Sequence, residues 1–227
     1  ASIEEAKGII VGVLLEMDEE GIVMVALDGF RMAVTREYIR NKERVNVIIA
    51  ARILNEINKI FSEEEKSEDV YMIIDEKKAV FLIEGARIVL RIMEGEFVKY
   101  RDILPKEHQC RLKVNRSEMM DCLERASLLA KEGRNNLIKL SVIRDKIIIT
   151  SRSEEGKVKE EVFIEKEGND LEIGFNAKYI LDVLKAVADE EVIMEFNTNV
   201  SPCIVKPVEG EKYDYLILPV RISPKAL

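Results

Sequence analysis

One pattern runs along this chain twice. Leu15 set against Leu140, an offset of about 125 residues, brings the strand-like VGVLLEM beside NLIKLSV and IVMVAL beside KIIITS, with a short charged turn between the members of each pair. Further along, VNVIIAARILNEINKI answers LEIGFNAKYILDVLKAV as strand then amphipathic helix, and VYMII answers VIMEF as the next strand. A repeat of this length describes tandem domains rather than a solenoid of short units. The stretch from Arg111 to about Lys131, a strand plus a helix, has no counterpart, because Ala1 to Lys7 (ASIEEAK) already corresponds to Ala126 to Glu132 (ASLLAKE). The first copy is therefore expected to lack its opening strand and helix.

With 227 residues the chain has room for two domains, each able to bury its own core. Apolar residues at 47% and charged residues at 34% match a globular protein, and no apolar run of some 18 residues suggests a membrane span. No leader sequence is visible, and a truncated start would hide one. Cys110, Cys122 and Cys203 have no metal-type spacing and cannot all pair, which points to a reducing compartment such as the cytoplasm. His108 is the single histidine, so a zinc site or a serine-hydrolase site has little to be built from, and neither metal nor cofactor is expected. The net charge of −8 argues against clamping nucleic acid by bulk electrostatics. A protein that surrounds DNA loosely remains compatible, because only the cations on one face then matter.

Alternating apolar residues predict strands over Val11–Met17, Ile22–Leu27, Arg31–Arg36, Val45–Ile49, Val70–Ile74, Val80–Ile83 and Arg87–Ile92. Ile53, Leu54, Ile57, Ile60 and Phe61 form one stripe of a helix over Ala50–Phe61, which runs out into the charged SEEEKSED, read as a solvated loop. The period fails around Gly95–Gln109, which reads as a connector. The domains are accordingly 1–109 and 110–227. In the second, Asn115 with Glu118 three residues on resembles a capping box for a helix over about Ser117–Lys131, continuing through Met119, Met120, Leu123 and Ala126. Another helix, about Ala177–Val187, carries Ile180, Leu181, Leu184 and Val187 on one side. Apolar stripes facing sheets give an α+β fold, two domains each with helices packed on antiparallel sheets. On the outward sides, Arg52, Asn55 and Lys59 share one helix face and Lys178, Asp182 and Lys185 another, either as ordinary solvated surface or as DNA contacts.

Asp28-Gly29 in ALDGFRMAV supports a tight hairpin and, alone, is only a turn. The chain also holds YRDILP before its second domain, IGFNAKYILDVL at its last helix and YLILPVRI near its end. In this combination and order they resemble the bacterial sliding clamp family, the beta subunit of DNA polymerase III. ALDGFRMAV is similar to the family's ATDGHRLAV-type motif and YLILPVRI to its closing YVVMPMRL-type motif. The resemblance covers nearly the whole chain, from the middle of the family's second domain to the end of its third.

That resemblance implies tandem DNA-clamp domains in a head-to-tail homodimeric ring, with helices facing a central hole and sheets outside. Such a ring is a processivity factor and not an enzyme: it encircles duplex DNA without reading sequence and holds the replicative polymerase on its template. By position, Arg52, Arg125, Lys178 and Lys185 are the expected DNA-facing cations. The resemblance also implies a groove between the two domains for short peptide motifs of the polymerase III catalytic subunit, the clamp loader and other replication and repair proteins. Its residues would be Ile10, Leu27, Gly29, Phe30, Arg31 and Met32, then Val98, Asp102 and Ile103, then Asn176, Tyr179, Pro202, Leu216, Ile217, Leu218, Pro219, Val220 and Arg221. Ile10, Met32, Ile103, Ile217 and Leu218 would form an apolar floor. Leu128 and Leu129 occupy positions resembling the family's protomer interface, and this stretch alone is not expected to close a ring.

Each residue also has a plainer role available. Ile10, Ile103 and Ile217 suit a core, Asn176 a helix N-cap, Tyr179 a packing position, Arg31 the surface, and Leu128 and Leu129 the core of their own helix. Val98 stands where the family often has proline and Asp102 where it has arginine, and Ser223–Leu227 (SPKAL) runs past the family's usual end. Two other functions stay open: a two-domain protein-interaction module without a DNA role, and an enzyme built on scattered carboxylates. No Gly-rich phosphate loop or metal spacing favours the enzyme.

Overall fold

The computed structural model describes residues 1–2, 5–39, 43–62, 70–75, 77–83, 86–131 and 136–222. The SEEEKSED run beyond Ser62, the SPKAL end and part of ASIEEAK lie outside these residues. The chain forms two compact units, Ala1–Tyr100 and Arg101–Leu227.

In the first unit a 3₁₀ segment, Glu5–Val11, leads into β1 (Gly12–Asp18), β2 (Gly21–Leu27), β3 (Arg31–Glu37), β4 (Val45–Ala50) and α1 (Ala51–Ser62). β5 (Tyr71–Ile74), β6 (Lys78–Ile83) and β7 (Ala86–Arg91) complete it. Antiparallel pairing orders one sheet β3-β2-β1-β4 and the other β5-β6-β7. The second unit has β8 (Cys110–Asn115), α2 (Arg116–Ala130), β9 (Leu137–Ile143), β10 (Lys146–Arg152), β11 (Lys157–Gly168), β12 (Leu171–Asn176) and α3 (Ala177–Ala186). It ends with β13 (Glu191–Phe196), β14 (Cys203–Pro207) and β15 (Tyr213–Ile217). Its sheets run β12-β9-β10-β11 and β8-β13-β14-β15, and β11 joins them, pairing first with β10 and then with β8.

The repeat is thus a structural one. β1-β2-β3-β4-α1-β5-β6-β7 corresponds in order and pairing to β9-β10-β11-β12-α3-β13-β14-β15, and β8 with α2 is the pair that the first unit lacks among its described residues. Apolar clusters fill both units. Leu112, Val114, Met119, Leu123 and Ala126 from β8 and α2 join Ile138, Leu140, Ile147, Ile149, Phe175, Ile180 and Phe196 in one apolar cluster. In the first unit one described cluster is built on Leu15, Ile49, Ile57, Ala79, Phe81 and Leu90, and Leu14, Val25, Met32, Val34 and Ile48 are buried as well. Beside α1 the unit leaves a cavity of about 790 Å³ lined by Val11, Val13, Met24, Ala26, Leu54 and Ile57.

Two boundaries differ from the sequence reading. The helical tail expected of ASIEEAK gives way to the 3₁₀ segment, which is interrupted at Gly8 (φ 63), where the backbone is left-handed. The division between units falls after Tyr100 rather than after Gln109. The buried Tyr100 donates its hydroxyl to Glu16 (2.8 Å) in the first unit, while the Gln109 amide donates to the Phe196 carbonyl (2.9 Å) in the second. The connector from Arg101 onward therefore belongs with the second unit.

Caps and turns follow the local chemistry. Asn115 accepts from the Glu118 amide (3.0 Å) and opens α2, satisfying one of the helix's orphan donors. Between β2 and β3, Asp28 Oδ1 accepts from the amides of Phe30 (3.0 Å) and Arg31 (3.2 Å), and Oδ2 accepts from Arg31 Nε (2.9 Å). Gly29, at φ 93, supplies the left-handed residue of that turn. Burial by itself raises the Asp28 pKa, but the hydrogen bonds from Arg31 and Phe30 outweigh it and hold the carboxyl below its ordinary value.

Removing the Phe175 ring, fully buried in the larger core, is expected to cost about 3–5 kcal/mol, read from the urea midpoint of Phe175→Ala. Asp28→Ala removes charge-assisted hydrogen bonds worth about 1.5–3 kcal/mol each and should destabilise the first unit in the same assay. Because folding lowers the Asp28 pKa, the wild-type advantage is complete above the ordinary value of 3.8 and vanishes as pH falls through the folded value. An advantage that grew on acidification would contradict this account.

Candidate peptide and nucleic-acid surfaces

The first unit presents its share of the expected peptide residues around the β2–β3 hairpin. Leu27 and Met32 are paired across the ladder, so the turn between them projects Gly29 and Phe30. Phe30 is 53% exposed, an unusual position for a large apolar ring, and the Asp28 hydrogen bonds fix the backbone that carries it. Arg31 is committed to Asp28 at 2.9 Å. Ile10 is half-buried at the end of the 3₁₀ segment, and Val98 is exposed in the chain leading to Tyr100.

The second unit gathers its share at one end. Asn176 caps α3 by accepting from the Lys178 amide (3.0 Å), and Tyr179, one turn on, is half-buried against the core. Beyond β15 the chain returns alongside β12, where the Val220 amide donates to the Gly174 carbonyl (2.8 Å). A Cβ on Gly174 would lie 2.7 Å from Val220 O and 2.7 Å from Ile222 Cγ1, so a glycine is needed for this approach. Gly174 was absent from the sequence reading, and its signal was a glycine inside an otherwise apolar strand. Leu218 is exposed, Pro219 and Val220 are half-buried, and Arg221 is exposed. Asp102 and Ile103 are exposed in the connector, and Pro202 is half-buried just ahead of β14.

The apolar floor read from the sequence needs correction. Met32 is only 4% exposed and Ile217 is fully buried, the latter within the second unit's core, while Leu216 is also buried. Met32 is covered on β3, and Leu216 and Ile217 are the covered last two residues of β15. Among the expected peptide residues, the exposed apolar side chains are instead Phe30 and Val98 in the first unit and Ile103 and Leu218 in the second.

All four candidate DNA-facing cations are exposed on helices: Arg52 on α1, Arg125 on α2, Lys178 and Lys185 on α3. α2 and α3 pack against each other, and Lys185 reaches Glu124 across them (2.8 Å). Arg125 binds Glu160 on β11 (2.7 Å), which raises the pKa of the guanidinium and lowers that of the carboxyl. Lys178 pairs with Asp182 one turn along α3 (3.3 Å). Leu128 is 64% exposed on α2, so a core role is excluded for it, and Leu129 is half-buried. The two helices enclose a cavity of about 420 Å³ lined by Glu124, Leu128, Lys178, Leu181, Asp182 and Lys185.

Burial raises the pKa of all three cysteines and keeps them as thiols, and no cluster of three metal-ligating side chains occurs among the described residues. No described helix is long and apolar enough to cross a membrane.

Comparison with known proteins gives the same division of the chain. Residues 1–99 match the central domain of the DNA polymerase III beta subunit, and residues 101–221 match its C-terminal domain. The beta sliding clamp of Staphylococcus aureus is 36% identical over 223 residues, which make up 97% of this chain and 59% of that protein. The DNA polymerase sliding clamp of Bacillus subtilis superposes with a TM-score of 0.93 at 32% identity, covering 98% of this chain and 60% of that one. The DNA polymerase III beta subunit of Thermotoga maritima gives 0.92 at 28% identity, covering 98% and 60%. The chain spans about three fifths of the length of these relatives. Two domain matches in order, over a chain whose two units repeat one fold, place it in the DNA polymerase III beta subunit family.

Proposed function

We propose that this chain is the working part of a DNA sliding clamp: it contributes two units to a ring that encircles duplex DNA and tethers a replicative polymerase, and it takes up partner peptides on residues supplied by each unit. Family membership along both units is the observation that carries this reading. The tether is non-catalytic and works in the cytoplasm, where buried free thiols stay reduced. In the ring its partners are a second copy of the chain, the polymerase and the loader that opens the ring.

The physical chemistry of both surfaces suits these tasks. Helix-borne cations contact phosphates, which carry no sequence information, so the duplex is held without being read. A short peptide is captured through apolar anchors, each worth roughly 1.5–3 kcal/mol when fully buried. Phe30 in the first unit and Ile103 and Leu218 in the second provide apolar surface for such anchors, and each unit brings one arginine of the expected set, Arg31 and Arg221, suited to peptide carbonyls or a carboxylate.

Titration with a labelled pentapeptide of the Gln-Leu-Xaa-Leu-Phe type tests the dock. Leu218→Glu and Ile103→Glu place a carboxylate at exposed positions, so folding should persist while apolar capture is lost, with affinity expected to fall at least tenfold. Binding as tight as wild type in both variants would remove the dock.

A further inference from the structure

The cations expected to meet DNA on the second unit are already occupied. Arg125, Lys178 and Lys185 are each more than half exposed, and each holds a carboxylate of the same unit: Glu160, Asp182 and Glu124. The pairs differ in origin, one from helix to strand, one within a helix turn and one between helices. The exposed and half-buried charged residues of α2, of Lys131 after it and of α3 are Arg116, Arg125, Lys131, Lys178 and Lys185 against Glu118, Asp121, Glu124 and Asp182, so carboxylates nearly balance the cations. Arg52 on the first unit, by contrast, has no ion pair among the described residues.

We propose that Glu124, Asp182 and Glu160 act as internal substitutes for phosphate, which compete with the DNA backbone for Lys185, Lys178 and Arg125 and so weaken the hold on the duplex. The inference rests on the clamp reading and deepens it by assigning the acidic residues of the DNA-facing helices a task. Exposed ion pairs are weak, in the range of about 0–1 kcal/mol, so a phosphate passing within reach displaces the carboxylate and is displaced in turn. Neither state leaves a cation unpaired. Moving from one phosphate to the next then involves exchange of equivalent partners, with no desolvated or unsatisfied charge in between. The carboxylates also set how many counterions the DNA must release. A cation already neutralised by the protein contributes less to the salt dependence of binding than a free one, for which the slope is about 0.9 per contact.

The test measures binding of this chain to a fluorescein-labelled duplex of about 25 base pairs by anisotropy, from low to moderate salt. The double variant Glu124→Gln with Asp182→Asn should bind several-fold tighter at low salt and steepen the plot of log K against log salt by up to about 0.9 for each lysine released. Adding Lys178→Ala and Lys185→Ala to that variant should abolish the gain. Glu209→Gln, in the loop between β14 and β15, makes a charge change of the same kind elsewhere and should leave binding unaltered. A comparable gain per charge from Glu209→Gln would overturn the proposal, since net charge would then explain the effect. No gain from the double variant, although Lys178→Ala with Lys185→Ala weakens wild-type binding, would also overturn it while leaving DNA contact standing. If those lysine substitutions change nothing in either background, the DNA reading of this face fails and the proposal with it.

Discussion

The second unit depends on a strand that belongs to two sheets. β11 pairs with β10 from Lys157 to Phe163 and with β8 from Ile164 to Gly168, so one continuous backbone carries hydrogen bonds from the helix-covered sheet into its neighbour. Only a twelve-residue strand is long enough for both. Gly168 ends it at φ 91, in contact with Gln109, where a Cβ would fall 2.1 Å from the Gln109 carbonyl oxygen. That close approach sets the start of β8. β8 in turn pairs with β13, and α2 follows it onto the sheet, bringing Met119, Leu123 and Ala126 into the core. Burial of those side chains is a consequence of where the strand crosses.

The first unit shows what the same plan looks like without that bridge. β3 and β5 are the counterparts of β11 and β13, yet no described strand stands in the place of β8. The two sheets share apolar packing through α1, Ile49, Phe81 and Leu90, and the chain after β7 is tied back by the Met93 amide, which donates to the Ile48 carbonyl of β4 (2.8 Å).

Much of this order is legible from residue pattern because strand and helix periods are local properties. The alternation in VGVLLEM and NLIKLSV locates β1 and β9, and the Ile53-Leu54-Ile57 and Ile180-Leu181-Leu184 stripes locate α1 and α3. The Asn115 cap is equally local. What pattern does not carry is whether an apolar residue near a strand end faces a ligand or its own core. Met32 and Leu218 are alike in sequence, in that each is an apolar residue beside a turn-forming segment, but one is buried and the other exposed. Partners across elements are hidden for the same reason. Asp182 one turn from Lys178 can be foreseen, whereas Glu124 for Lys185 and Glu160 for Arg125 require α2, α3 and β11 to be brought together first.

In the proposed clamp, these ion pairs would let a chain with net charge −8 serve a polyanion. A strongly basic face would bind DNA tightly, and tight binding raises the barrier between neighbouring phosphates as well as the affinity, which is a disadvantage for a tether that has to travel. Topological closure removes the need for affinity, because a closed ring stays on the duplex whatever the strength of each contact. The helices then have only to keep their cations partnered as the duplex passes. Compensated cations do this: Arg125, Lys178 and Lys185 each exchange one anionic oxygen for another, and the displaced carboxylate returns to water. In the proposed clamp, an acidic chain and a DNA-facing surface are therefore compatible parts of one electrostatic arrangement.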